Sequence, residues 1–293
     1  MHSGQPAILL DVPPRSRYLT FVIKNPSELK DVILALSHMV DGISVVMGLG
    51  IKVAMTLQQE VPGLRLFPEL KGAKHPVHAT PGDLWFWLRG DDLGELLHRG
   101  RALEVIAQPA FELHNVVDGF KYGEGLDLTG YQDGTENPKD DDAINAALMA
   151  GESSRMDGSS FVAVQQWLHD LNHFESLSAQ EQDNIIGRSK VTNDELPAAP
   201  KSAHVKRVEQ EDFTPEAFVV RRSSPWIENQ QSGLMFLAFG HSFDAFEAQL
   251  QRMLGLDDNI TDALFDFSRP LTGNYYWCPP VGKEGLNLAQ LMS

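Results

Sequence analysis

Two segments of this chain, 150 residues apart, follow one plan. Leu84-Trp85-Phe86-Trp87-Leu88 runs into a helical pattern, and so does Leu234-Met235-Phe236-Leu237-Ala238. The separation is about half of the 293 residues and points to two related halves. In the first half, residues 17–24 read as a strand with Leu19, Phe21 and Ile23 on one face. Asn25-Pro26-Ser27-Glu28 then opens a helix. Its Val32, Ile33, Leu36, Met39 and Val40 form the stripe of a face packed on a sheet. Strands at 44–49 and 83–89, a helix from Gly90-Asp91-Asp92 to about Ile106 and a strand at 111–122 complete the half.

The order β-α-β-β-α-β is the split arrangement of a ferredoxin-like unit, here decorated by a long loop at 61–81. The second half reads as a strand at 160–168, a helix at 178–190 and short extended pieces at 204–209 and 218–222. A strong strand at 233–240 and an amphipathic helix at 243–254 follow. The expected fold is α+β, with two tandem ferredoxin-like domains, antiparallel sheets and peripheral helices. Residues 129–142, rich in Gly, Asp and Pro, form the natural junction, which divides the chain into 1–138 and 139–293.

Composition narrows the partners. A hydrophobic content of 42% supports a sizeable core. The net charge of −16 repels nucleic acid and anionic lipid, so neither is an expected partner. A single cysteine, Cys278, can form neither an internal disulfide nor a cysteine metal cluster. Met1-His2-Ser3-Gly4-Gln5-Pro6 shows no secretion pattern. The longest apolar stretch, 43–55, is broken by Gly48, Gly50 and Lys52, so no membrane span is expected. Together these features favour the reducing cytoplasm.

The most informative segment is Gly130-Tyr131-Gln132-Asp133-Gly134-Thr135-Glu136-Asn137-Pro138. Two glycines bracket Asp133 and allow a tight turn that can aim its carboxylate into a cavity. By spacing alone, this is an ordinary Asp-Gly turn.

The segment resembles the GxxDG signature of the dye-decolourising peroxidases. Ala203-His204-Val205-Lys206-Arg207 resembles the family's proximal haem histidine segment, and Val219-Val220-Arg221-Arg222-Ser223 its distal arginine segment. Gly233-Leu234-Met235-Phe236 resembles the strand that lines the haem face. His204 follows Asp133 by 71 residues, and Arg221 follows His204 by 17, spacings that suit the compact bacterial cytoplasmic branch. The resemblance runs from about Arg17 to Pro280. It implies two ferredoxin-like domains and one haem b per chain, held mainly by the C-terminal half with the GxxDG loop reaching over it.

The resemblance also implies roles. His204 is the expected iron ligand, since neutral imidazole donates electron density to iron. Its other ring N–H needs a carboxylate or carbonyl, for which Asp262 or Asp266 is available. Asp133 is the expected proton shuttle in O–O cleavage. Arg221 supplies the fixed cation, because guanidinium stays charged in a partly dry pocket. Neighbours on a strand face opposite ways, so only one of Arg221 and Arg222 reaches the haem, and the family register favours Arg221. Ser223 shares the Arg221 face and is placed to hold a distal water. Phe236 is expected on the distal haem face. Arg207 is a candidate propionate partner, with a solvent-facing role the alternative. Trp167, Trp226, Trp277, Tyr275 and Tyr276 are available as surface relays to bulky donors, and none is assigned as a site.

The implied activity is a haem peroxidase in which hydrogen peroxide oxidises organic donors (dyes, phenols or porphyrins) through a ferryl intermediate. The alternatives are a haem-binding or haem-handling protein with incidental turnover and a cofactor-free interaction module. Ferredoxin-like sheets often pair, which favours a homodimer or higher homo-oligomer. Residues 286–293 show no long targeting extension.

Overall fold

Five consecutive apolar residues, Leu84 to Leu88, give a strand with no polar face, and it is buried throughout. The fold is built around this strand and its C-terminal counterpart. The computed structural model describes residues 3–71, 76–151 and 155–292. Met1, His2, Ser293 and residues 72–75 of the long loop lie outside the described residues.

The strands are β1 (Arg15–Ile23), β2 (Val45–Leu49), β3 (Leu70–Lys71), β4 (Pro76–Val77), β5 (Leu84–Gly90), β6 (Phe111–Phe120), β7 (Ser160–His169), β8 (Val220–Arg221), β9 (Ser224–Glu228), β10 (Gln231–Gly240), β11 (Ser268–Pro270) and β12 (Asn274–Cys278). The helices are α1 (Leu29–Met39), α2 (Ile51–Thr56), α3 (Leu93–Ala107), α4 (Asp140–Ala147), α5 (Leu171–Ser176), α6 (Ala179–Ile186), α7 (His204–Arg207) and α8 (Asp244–Met253). The architecture is α+β.

The N-terminal strands lie in the order β2-β5-β1-β6 and the C-terminal ones in the order β12-β7-β10-β9, all pairs antiparallel. In each half the first strand sits between the third and the fourth. The third strands are β5 and β10, the two whose sequences resemble each other. Single residue pairs, Trp277 with Leu49 and Gly119 with Trp226, join the two sets at their edges. Eight strands therefore close into a ring, with β8 and β11 as short additions.

Alternation then gives the ring two buried faces. One is filled with aromatics. Trp87, Tyr18, Trp85 and Tyr276 stack in succession with ring centroids 6.5, 6.4 and 5.7 Å apart. The other carries Leu19, Phe21, Leu84, Phe86 and Leu88 in the N-terminal half, packed with Val32, Ile33 and Leu36 of α1 and with α3. Asn25 caps the start of this helical segment by accepting from Ser27 N, with Pro26 in the first helical position. Met39, expected in the buried stripe, is 51% exposed; the helix ends there, and extended Val40 turns inward instead.

The extended reading of residues 204–209 is corrected, because His204–Arg207 forms the helical turn α7. Side-chain pairs to distant residues, His204 with Asp262 and Arg207 with Asp258, override the extended preference of Val205 and Val208. α7 packs beside α8, and both cover the face of β7 and β10 away from the aromatic stack.

The β7–β10 pairing tolerates no added atom at Gly233, where a Cβ would lie 1.9 Å from the Trp167 carbonyl oxygen. Gly233→Ala should cost about 1–3 kcal/mol, a fall of several degrees in Tm by calorimetry. An unchanged melting temperature would contradict this packing.

Candidate active site

Strand register builds one wall of the site. Arg221 of β8 is opposite Ala238 of β10, which is opposite Ala163 of β7. Two residues further along, Phe236 pairs with Gln165, and then Leu234 with Trp167. Period-two alternation puts Arg221, Phe236, Gln165, Leu234 and Trp167 on one face. Phe246, Leu250 and Met253 of α8 form the other wall. Between them lies a mainly apolar cavity of about 130 Å³.

His204 enters from the helical side. Its Nδ1 lies 2.8 Å from Asp262 Oδ2. Asp262, rather than Asp266, is the partner, and it is fully buried. Its other oxygen accepts from Leu264 N at 2.8 Å and caps the short helical turn Ala263–Asp266. A carboxylate can only accept, so Nδ1 carries the proton and Nε2 keeps its lone pair.

The glycine-bracketed loop delivers Asp133. Gly130 and Gly134 have φ of +86° and +72°, where L side chains are strained. A Cβ on Gly130 would also sit 2.6 Å from Lys190 Cε. Asp133 N donates to Gly125 O at 3.0 Å, which holds the turn. Asn137 fixes the loop to Arg221: its Nδ2 donates to Arg221 O at 3.1 Å, and its Oδ1 accepts from Arg221 N at 2.8 Å. Asp133 and Arg221 therefore line the same cavity as His204.

The other expected residues divide. Phe236 lines the cavity. Arg222 does not; it faces an adjoining polar cavity to which Asp133 and Arg221 also contribute. Ser223 is corrected to that second cavity too, because β8 ends at Arg221 and strand alternation no longer governs it. Arg207 is a further correction. Its Nη1 and Nη2 are both 2.8 Å from the Asp258 carboxylate, so it is committed away from the cavity. The five aromatics considered as surface relays are all buried, none more than 5% exposed.

Several lining residues went unread in the sequence. Gln165 is fully buried; its Oε1 accepts from Trp167 Nε1 at 3.2 Å, while its Nε2 has no partner. His169 Nδ1 contacts Ser268 Oγ at 2.7 Å, and its Nε2 contacts Asp127 Oδ2 at 3.1 Å. Burial pushes the Asp127 carboxyl up, but the hydrogen bond and charge of His169, with help from Thr129, outweigh it and hold the group below the usual carboxylate range. Tyr131 donates to Asp183 Oδ1 at 2.5 Å; burial and that carboxylate raise its phenol well above the ordinary tyrosine value. No signal of local sequence marks Gln165 or His169, since only the register of Gln165 against Phe236 of β10 and of His169 against Ser268 of β11 aims them at the cavity.

The site pairs an imidazole fixed by a buried carboxylate with an acid and a guanidinium in one apolar chamber, an arrangement suited to redox chemistry that needs proton delivery. The family profile "Dyp-type peroxidase, C-terminal" matches residues 124–283. The dye-decolorizing peroxidase of Mycobacterium tuberculosis is 35% identical over 225 residues, covering 74% of this chain and 67% of that relative. A putative Dyp-type peroxidase from Shewanella oneidensis superposes with a TM-score of 0.88 at 27% identity, covering 100% of this chain and 98% of that one. A DypB variant from Rhodococcus jostii RHA1, solved in complex with heme, gives 0.87 at 27% identity, covering 96% and 97%. The chain belongs to the dye-decolourising peroxidase family, and its class is that of a peroxidase enzyme.

The Asp127–His169 pair has a measurable pH signature. A carboxyl whose folded pKa is lowered contributes stability above its unfolded value of about 3.9 and loses it as pH falls further. Asp127→Asn should cost about 1–3 kcal/mol near neutral pH. The gap to wild type in denaturant titrations should close below about pH 4. A gap that is absent at neutral pH, or constant on acidification, would contradict the pairing.

Proposed function

We propose that this chain holds one haem b and uses hydrogen peroxide to oxidise organic donors such as dyes, phenols or porphyrins. The observation that carries this reading is His204, fixed by buried Asp262, sharing one apolar cavity with Asp133 and Arg221. Among the described residues, no group of three or more His, Cys, Asp or Glu could hold a metal ion. A single imidazole with a free Nε2 would suit a metal carried within an organic cofactor. The apolar walls and the orphaned Gln165 amide, aimed at the same chamber, suit a large flat group carrying some polar atoms.

When bound, haem supplies the iron that takes peroxide and stores its oxidising equivalents. The remaining work falls to the protein. Asp262 fixes the tautomer of His204 and would increase its electron donation to a metal held at Nε2. Asp133 would take a proton from one oxygen of peroxide and return it to the other. Arg221 would stabilise the negative charge that develops on the protonated oxygen as the O–O bond breaks, which lets it leave as water. Phe236, Leu234 and Trp167 exclude bulk water. Two electrons and two protons from donors complete the reduction of one peroxide to two waters.

We further infer that 1–138 and 139–293 are two ferredoxin-like units, a reading supported by their common strand order. A homo-oligomer is the expected assembly. Among the described residues, no helix is long and apolar enough to cross a membrane.

His204→Ala should largely abolish haem retention, read from the Soret band of purified protein. Normal occupancy in that variant would reject the ligand assignment. Asp133→Ala and Arg221→Ala should keep haem, while stopped-flow reaction with peroxide slows by roughly 10²–10⁴-fold in at least one of them. Unchanged rates in both would favour a haem-handling protein with incidental turnover.

A further inference from the structure

Arg222, which lines the second cavity, and its neighbour Arg89 are buried cations that the peroxidase reading does not use. Arg89 and Arg222 are each 8% exposed. Arg222 donates from Nη1 to Arg221 O and from Nη2 to Leu9 O, both at 2.9 Å. Arg89 donates to Ile43 O and Asp11 O and lies over the Trp87 ring at 4.7 Å. All these acceptors are neutral carbonyls. Each guanidinium leaves a buried Nε without a partner. Among the described residues, no carboxylate forms an ion pair with either one. Burial and then the nearby charge of Arg222 lower Arg89 to about 10, and burial lowers Arg222; the charge of exposed Asp11 opposes the fall in both without cancelling it. Buried charges of one sign normally have a counter-charge.

The adjoining cavity offers room for one. It has a volume of about 240 Å³, and its lining includes Arg222, Ser223, Lys121 and Arg221. Ser223 is 7% exposed, and its Oγ has no partner. The carboxylates at this cavity are Asp11, Glu124 and Asp133. Asp11 and Glu124 are exposed and therefore screened by solvent. Asp133 lines both this cavity and the apolar chamber, where the peroxidase reading uses it.

We propose that this second cavity is a carboxylate site, in which Arg222 and Ser223 seat a carboxylate-bearing aromatic donor beside the Asp133–Arg221 couple. The protein's net charge of −16 repels such molecules at a distance, so recognition has to be local. The role as a donor site rests on the peroxidase reading, whereas binding itself does not. A phenolic acid seated there loses one electron and its phenolic proton. Two such molecules reduce one peroxide to two waters and leave as phenoxyl radicals.

The test is calorimetric titration of the haem-loaded protein with benzoate and with neutral benzamide, in the absence of peroxide. Benzoate should bind one to one, about tenfold or more tighter than benzamide, without moving the Soret band. Arg222→Gln should weaken benzoate about tenfold or more and leave benzamide unaffected, and Ser223→Ala should weaken benzoate by a smaller factor. If Arg222→Gln fails to fold, the benzoate-to-benzamide ratio in wild type and Ser223→Ala decides. No benzoate binding, equal affinity for both probes, or full affinity in the variants overturns the proposal. Because no turnover is measured, a protein that binds benzoate yet ignores peroxide would refute the peroxidase reading separately.

Discussion

The hydrogen bond between His204 Nδ1 and Asp262 is the constraint on which the rest of the site depends. It fixes which imidazole nitrogen is free and holds the ring at one orientation. Asp262 can do this because it is fully buried and its second oxygen is occupied by Leu264 N. A carboxylate with both oxygens engaged has little freedom to turn, and neither does the ring bound to it. The helical turn α7 and the capped turn at Ala263–Asp266 are thereby tied together across 58 residues of sequence.

The facing side is assembled by a different device. Asp133 sits on a loop and Arg221 on a two-residue strand, elements with little rigidity of their own. Asn137 joins them by bonding both the N–H and the C=O of Arg221. Gln210 adds a brace, donating to Glu136 O at 2.8 Å and accepting from Val219 N at 3.0 Å. The acid and the guanidinium are thus positioned as a unit, with the closed sheet as a stiff backing. Glycine at 130 and 134 lets the loop make its two reversals close to that backing.

Much of the frame was legible because it is written locally. Apolar runs at 84–88 and 234–238 mark the two equivalent strands, and capping residues such as Asn25 mark the first helix. The motif from Gly130 to Pro138 located the loop, and its resemblance to a family located His204 and Arg221. What escaped depends on distant partners. The helical state of 204–207 follows from Asp262 and Asp258. Arg207 could not be separated from a propionate partner without seeing Asp258. Gln165 and His169 look like polar interruptions of a strand until pairing with β10 and β11, respectively, assigns them a face. Asn137 stood inside the motif, but its role became visible only with the Arg221 backbone beside it.

If the chain holds haem as proposed, Asp262 would make His204 a strongly donating ligand, which favours the oxidised metal. The most direct measurement is the haem reduction potential of the loaded protein, compared between wild type and Asp262→Asn. An amide in place of the carboxylate should raise the potential while the Soret band reports full occupancy. An unchanged or lowered potential in a fully loaded variant would contradict the claim.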